Sequence, residues 1–64
     1  MLFTQSLCEE LNMDKKDMFS YFLHLKKELS LDEIYQMFDN ENYNINKLDI
    51  NRIYRYLDSY LNIN

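Results

Sequence analysis

The stretch "SLDEIYQMFDNENYNINKLDI", residues 30–50, decides the fold, because it holds two helix-start signals separated by an amide-rich connection. Ser30 to Glu33 reads as a capping box, in which the Ser30 hydroxyl and the Glu33 carboxylate reciprocally satisfy backbone N–H groups that a helix leaves unpaired. A helix is therefore expected from Leu31, with Leu31, Ile34, Tyr35 and Phe38 on its buried face and a stop near Asp39. "NKLD", Asn46 to Asp49, is a second cap of the same type, with Asp in place of Glu. The helix it opens should run from Lys47 to about Leu61, burying Ile50, Ile53, Leu57 and Leu61, with Tyr54 and Tyr60 at the margins. "YNI" between the two is too short for a strand beside this helical content.

Upstream, apolar spacing marks two more helices. Phe3, Leu7 and Leu11 recur every four residues, and Asn12 is a plausible stop because Asn tolerates the left-handed conformation that usually falls to Gly. Asp14 is a good N-cap for a second helix carrying the stripe Met18, Phe22, Leu25 and Leu29, widened by Phe19 and Leu23. Lys26 and Lys27 suit the dipole at its C-terminal end, while Lys15 and Lys16 at its start are offset by Asp14 and Asp17. The expectation is an all-α single domain over residues 1–64. It is a compact bundle of about four short helices, approximately 2–11, 15–29, 31–38 and 47–61, with an Asn-rich connection at 39–46.

Composition bounds what such a bundle can be. A chain of 64 residues forms a thin core, rarely supplying more than about 3–5 kcal/mol without disulfides, a metal or a partner subunit. Cys8 is alone, which excludes an intrachain disulfide and agrees with a reducing compartment. Four Phe, six Tyr, ten Leu and five Ile, without Gly, Ala, Val, Pro or Trp, are more large side chains than one small core hides. Surplus tyrosines at the surface suit a partner interface, and self-association as a homodimer is expected, through the last helix or through Phe3 and Phe19. The residue choice follows AT-rich codons, as in a low-GC bacterium, its phage or an AT-rich protist. A net charge of −4 argues against general nucleic-acid affinity, which depends on neutralising phosphates. No run approaches a membrane span, and "MLFTQSLCEE" lacks a secretory pattern, so a cytoplasmic protein is the expectation.

The connection poses a question about metal. Phe38-Asp39, then Asn and Glu, an apolar Ile45 and the acid Asp49 resemble an EF-hand, and "NINKLDINRIYRYL" looks like the tail of a dockerin calcium repeat. Such loops place oxygens at positions 1, 3, 5, 7, 9 and 12, with Gly at 6. From Asp39, Asn44 falls on the glycine position and Ile50 on the final acid; counting back from Asp49 puts Phe38 first. The spacing is one residue short. Asn40, Asn42 and Asn44 then read as turn formers standing in for Gly, with no metal ligand among them and no cofactor expected.

Catalytic candidates are few. Cys8 and His24 are the only nucleophile and base, and a cysteine hydrolase would need them in contact with an orienting group. They read as a buried thiol and a boundary imidazole, and the chain as a non-enzyme. Zinc lacks ligands, since structural sites use four Cys or His. Glu9 and Glu10 diverge on a helix and read as solvated surface.

The last helix carries the candidate site. Opposite its apolar stripe, Arg52, Arg55, Tyr56 and Ser59 fall at i, i+3, i+4 and i+7, an Arg–Tyr face of the kind found at interface hot spots. Asp49 and Asp58 lie three residues from Arg52 and Arg55, so intrahelical ion pairs are expected of both arginines. The function expected is a small acidic regulator or inhibitor that binds a partner protein through this face. A dimeric helix-turn-helix DNA-binding regulator is the alternative, since "LSLDEIYQMF…LDINRIYRYL" resembles half of a winged helix, although its connection exceeds the usual three or four residues. An EF-hand-like module is the third.

Overall fold

The computed structural model describes residues 3–62, and the side chains of residues 4–60. It is all-α, with α1 Phe3–Leu11, α2 Lys15–Glu28, α3 Leu31–Asn40 and α4 Lys47–Asn62. The expected roles of the Phe3 and Leu61 side chains lie outside the described residues. α4 packs against each of the other three helices. Its stripe Ile50, Ile53 and Leu57 forms the centre of a core that also takes Leu7 and Leu11 from α1, Met18, Phe22 and Leu25 from α2, and Ile34 and Phe38 from α3. Ile45, from the connection, is buried in the same core. Leu31, Tyr35, Phe19 and Leu23 are half-buried around it. Among the described residues no polar side chain is buried, so the interior carries no desolvation cost of that kind.

Each boundary has a local cause. Asp14 Oδ1 accepts from the Asp17 N–H at 2.8 Å and opens α2. Ser30 and Glu33 complete the capping box that opens α3, at 2.9 Å from the Ser30 N–H to Glu33 and 3.2 Å from the Glu33 N–H to the Ser30 hydroxyl. α1 and α3 share one ending. Asn12 (φ 56°) and Asn42 (φ 64°) are left-handed. Behind them the Met13 N–H reaches the Cys8 carbonyl and the Tyr43 N–H the Phe38 carbonyl, both at 3.0 Å. With the companion bonds Asn12 to Glu9 (3.3 Å) and Asn42 to Asp39 (3.1 Å), these are Schellman motifs with Asn in place of Gly. The usual hydrophobic contact across the motif is present in α3, where the Tyr43 ring meets Phe38 edge-on at 5.6 Å.

Several expectations are corrected. α3 continues to Asn40, two residues past the expected Phe38, because Asn42 and not Asn40 takes the left-handed position; the connection is thus 41–46. Of the three asparagines read as glycine substitutes, Asn42 alone has positive φ. α2 ends at Glu28, and Leu29 is an extended C-cap (φ −126°, ψ 146°). α4 runs one residue beyond Leu61, to Asn62. At its start Asn46 Oδ1 accepts from the Leu48 N–H at 2.8 Å, but the reciprocal bond of a capping box is absent. Asp is one methylene shorter than Glu, and Asp49 turns to Arg52 instead. Glu10 is exposed but not merely solvated, since it accepts from the Asn44 N–H at 3.1 Å and ties α1 to the connection.

The capping box yields a pH prediction. Hydrogen bonds from the Ser30 backbone and then its hydroxyl hold the Glu33 carboxyl below the usual carboxylate range. A depressed folded pKa stabilises above the unfolded value of about 4.3 and is lost as pH falls through the folded value. Ser30→Ala should cost about 1 kcal/mol at pH 7 by urea unfolding, and the difference from wild type should shrink under acid. A difference independent of pH between 7 and 2 would show that the Ser30 hydroxyl does not hold the Glu33 carboxylate, since the substitution leaves the backbone N–H bond to Glu33 in place.

Candidate interaction surface

Arg52, Arg55, Tyr56 and Ser59 are all exposed on α4, opposite Ile50, Ile53 and Leu57. Helical spacing brings them to one face, and Leu48, 59% exposed and one turn before Arg52, extends it. Composition alone did not bring out Leu48, although an apolar residue at i−4 to Arg52 and outside the core stripe was a readable signal.

The two arginines differ. Arg52 Nη1 lies 3.1 Å from Asp49 Oδ1, the expected i, i+3 pair. The expected Arg55–Asp58 pair does not form. Asp58 is taken by Lys26 of α2, with Nζ 2.6 Å from Oδ1. Lys26 is largely covered and also stands 5.0 Å over the Tyr54 ring, so two partners fix it where Arg55 has neither. Among the described residues Arg55 has no carboxylate within ion-pair distance. Lys47 is likewise used within the fold, 2.7 Å from Asp32 of α3, whose hydrogen bond and charge raise its pKa.

Tyr56 is not an isolated side chain. Its ring stacks on Phe19 of α2 with centroids 5.1 Å apart and planes inclined by 22°, yet it remains 52% exposed. Between α2 and α4 this pair floors a shallow groove of about 270 Å³, lined by Lys16, Phe19, Ser20, Leu23, Tyr56, Leu57 and Tyr60. Tyr60, expected at the core margin, is 60% exposed. Lys15 Nζ stands 5.8 Å from the Phe19 centroid. The groove's α2 wall went unread in the sequence because Phe19 and Leu23 look like a widening of the core stripe. Lys16, Phe19, Ser20 and Leu23, at i, i+3, i+4 and i+7, form a second face of that helix.

The remaining candidates are not assembled into sites. Cys8 is half-buried and lines a groove with Thr4, Gln5 and Lys15, while His24 is exposed with Nε2 3.9 Å from Glu28. No hydrogen bond joins them among the described residues. Of the oxygen-bearing residues compared with a calcium loop, Asp39 and Asn40 lie inside α3, the Asn46 oxygen is committed to the α4 cap, and Asp49 faces Arg52. No three His, Cys, Asp or Glu side chains converge among the described residues. No described helix is long and apolar enough to cross a membrane. No family model matches the chain, and neither curated proteins nor solved structures give a significant match.

Proposed function

We propose that the chain is a non-enzymatic interaction protein of the cytoplasm, a regulator or inhibitor in type, which docks a partner protein on the α2–α4 face containing Arg52, Arg55, Tyr56 and Ser59. The observation that carries this reading is the stacked Phe19–Tyr56 pair, half open to solvent beside an exposed Tyr60. Tyrosine and arginine supply large contact area at low entropic cost, and they dominate measured interface energies. A homodimer through the same face is the nearest variant, although the core closes over α1 to α4 without a second chain.

The helix-turn-helix reading draws on Arg55, which is exposed and unpaired on α4 among the described residues. Against it, Arg52 is held by Asp49, and residues 41–46 still exceed the short turn of that motif. Affinity capture from a lysate of the source organism separates the readings. A single stoichiometric protein retained by the wild type, and lost with the double variant Arg52→Ala, Tyr56→Ala, is the expected result. Nuclease-sensitive DNA, released as salt rises, would overturn it in favour of DNA binding.

A further inference from the structure

The groove's electrostatics point to the chemistry of what fills it, an inference that rests on the docking function proposed above. Carboxylates outnumber basic side chains by 11 to 7, yet none lines the α2–α4 groove, whose one charged group is the Lys16 ammonium. Three cations elsewhere are neutralised within the fold: Lys26 by Asp58, Lys47 by Asp32, Arg52 by Asp49. Lys16, Lys27 and Arg55 have no such partner among the described residues, and of these Lys16 alone lines the groove, while Lys15 is held over Phe19. Asp14, the nearest acid before Lys15, is turned into the α2 cap by the Asp17 N–H. Asp17 is exposed and adjoins Lys16 in sequence, but lies off the groove lining.

We propose that this groove binds an acidic peptide segment of the partner, with one apolar side chain entering between Phe19, Tyr56 and Tyr60 and a carboxylate meeting Lys16. A space of about 270 Å³ suits a single anchoring side chain and is smaller than the sites of most small ligands. Asp32 and Glu33 of α3 in a second copy are poor occupants, because Asp32 is spent on Lys47 and Glu33 on the capping box. Two copies meeting groove to groove would bring two Lys16 ammonium groups into one interface with no carboxylate from either groove lining to meet them. Nucleic acid fits less well, since Lys15, Lys16 and Arg55 are few for tracking a phosphate backbone and Asp17 and Asp49 stand nearby.

The test is selection of a displayed random 16-residue peptide library on the immobilised chain, followed by fluorescence anisotropy with the enriched peptides. The expected peptides carry excess Asp and Glu around a Leu, Phe or Trp anchor. Their affinity should fall about 30-fold with Tyr56→Ala, the size of an interface hot spot. It should fall about tenfold with Lys16→Glu, and less than twofold with Gln36→Ala on α3. Lys16→Glu places an acid in the first turn of α2, where the helix dipole favours it, and circular dichroism should show the fold intact. Enriched peptides that are neutral or basic but still lost with Tyr56→Ala would overturn the acidic partner and leave the docking face standing. Peptides indifferent to Tyr56→Ala, or no enrichment, would overturn both. Tighter binding of a labelled dT16 oligonucleotide, lost with the same variant, would replace the peptide by nucleic acid.

Discussion

Phe38→Ala is expected to leave the chain largely unfolded at 25 °C. Phe38 is 1% exposed and is the ring on which three others converge: Tyr21 at 6.4 Å, Phe22 at 5.8 Å and Tyr43 at 5.6 Å. It joins α2, α3 and the connection, so its loss opens a cavity that no single helix can close by shifting. A buried Phe→Ala change costs about 3–5 kcal/mol, and a core of this size supplies about the same amount in total. The far-UV signal at 222 nm should fall steeply and the cooperative thermal transition should disappear. Phe38→Leu keeps most of the volume and should retain a transition at a lower midpoint. If Phe38→Ala melts like the wild type, the ring cluster does not hold the three elements together.

That cluster also shows how far the sequence alone reached. Four helices, both N-caps around α2 and α3, and the buried positions Ile34, Phe38, Ile50, Ile53 and Leu57 follow from 3.6-residue spacing and capping chemistry, which act within one turn. The α3 ending did not follow as readily. Asn40, Asn42 and Asn44 are equivalent by type, and the choice of Asn42 depends on Tyr43 reaching back to Phe38. The same limit governs the candidate site. Arg52 met its expected partner because Asp49 is on the same helix, whereas Arg55 did not because Lys26 arrives from α2 to take Asp58. Likewise the Arg–Tyr face of α4 was legible from its own spacing, while the groove beside it exists only once Phe19 of α2 stacks on Tyr56. Pairings between helices depend on how the helices cross, and single-helix periodicity does not encode that.

Tyr54→Phe tests one such crossing by removing a single oxygen. The Tyr54 hydroxyl donates to the Leu29 carbonyl at 2.8 Å, joining α4 to the extended residue that links α2 and α3. Phenylalanine keeps the ring under Lys26 and its packing against the core, so the change isolates the hydrogen bond. It also strands a partly buried carbonyl beyond the end of a helix, so the loss should be about 1–3 kcal/mol at pH 7, a large share of the whole stability. The pH dependence supplies an independent signature. Burial first, then the negative charges of Glu33 and Asp58, push the Tyr54 phenol above its ordinary value. The folded state then holds the phenol's proton more tightly than the unfolded chain, whose phenol titrates near about pH 10. The wild type should keep this contribution below pH 10 and lose it as pH rises through the folded value. Tyr21 is raised too, by burial and then by Glu41 and Tyr43, so Tyr54→Phe should make the alkaline fall shallower without abolishing it. Urea unfolding at pH 7, 9, 10 and 11 reads both effects. If the variant equals wild type at pH 7 and falls as steeply above pH 10, the bond between Tyr54 and Leu29 contributes nothing to the crossing of α4 over the α2–α3 junction.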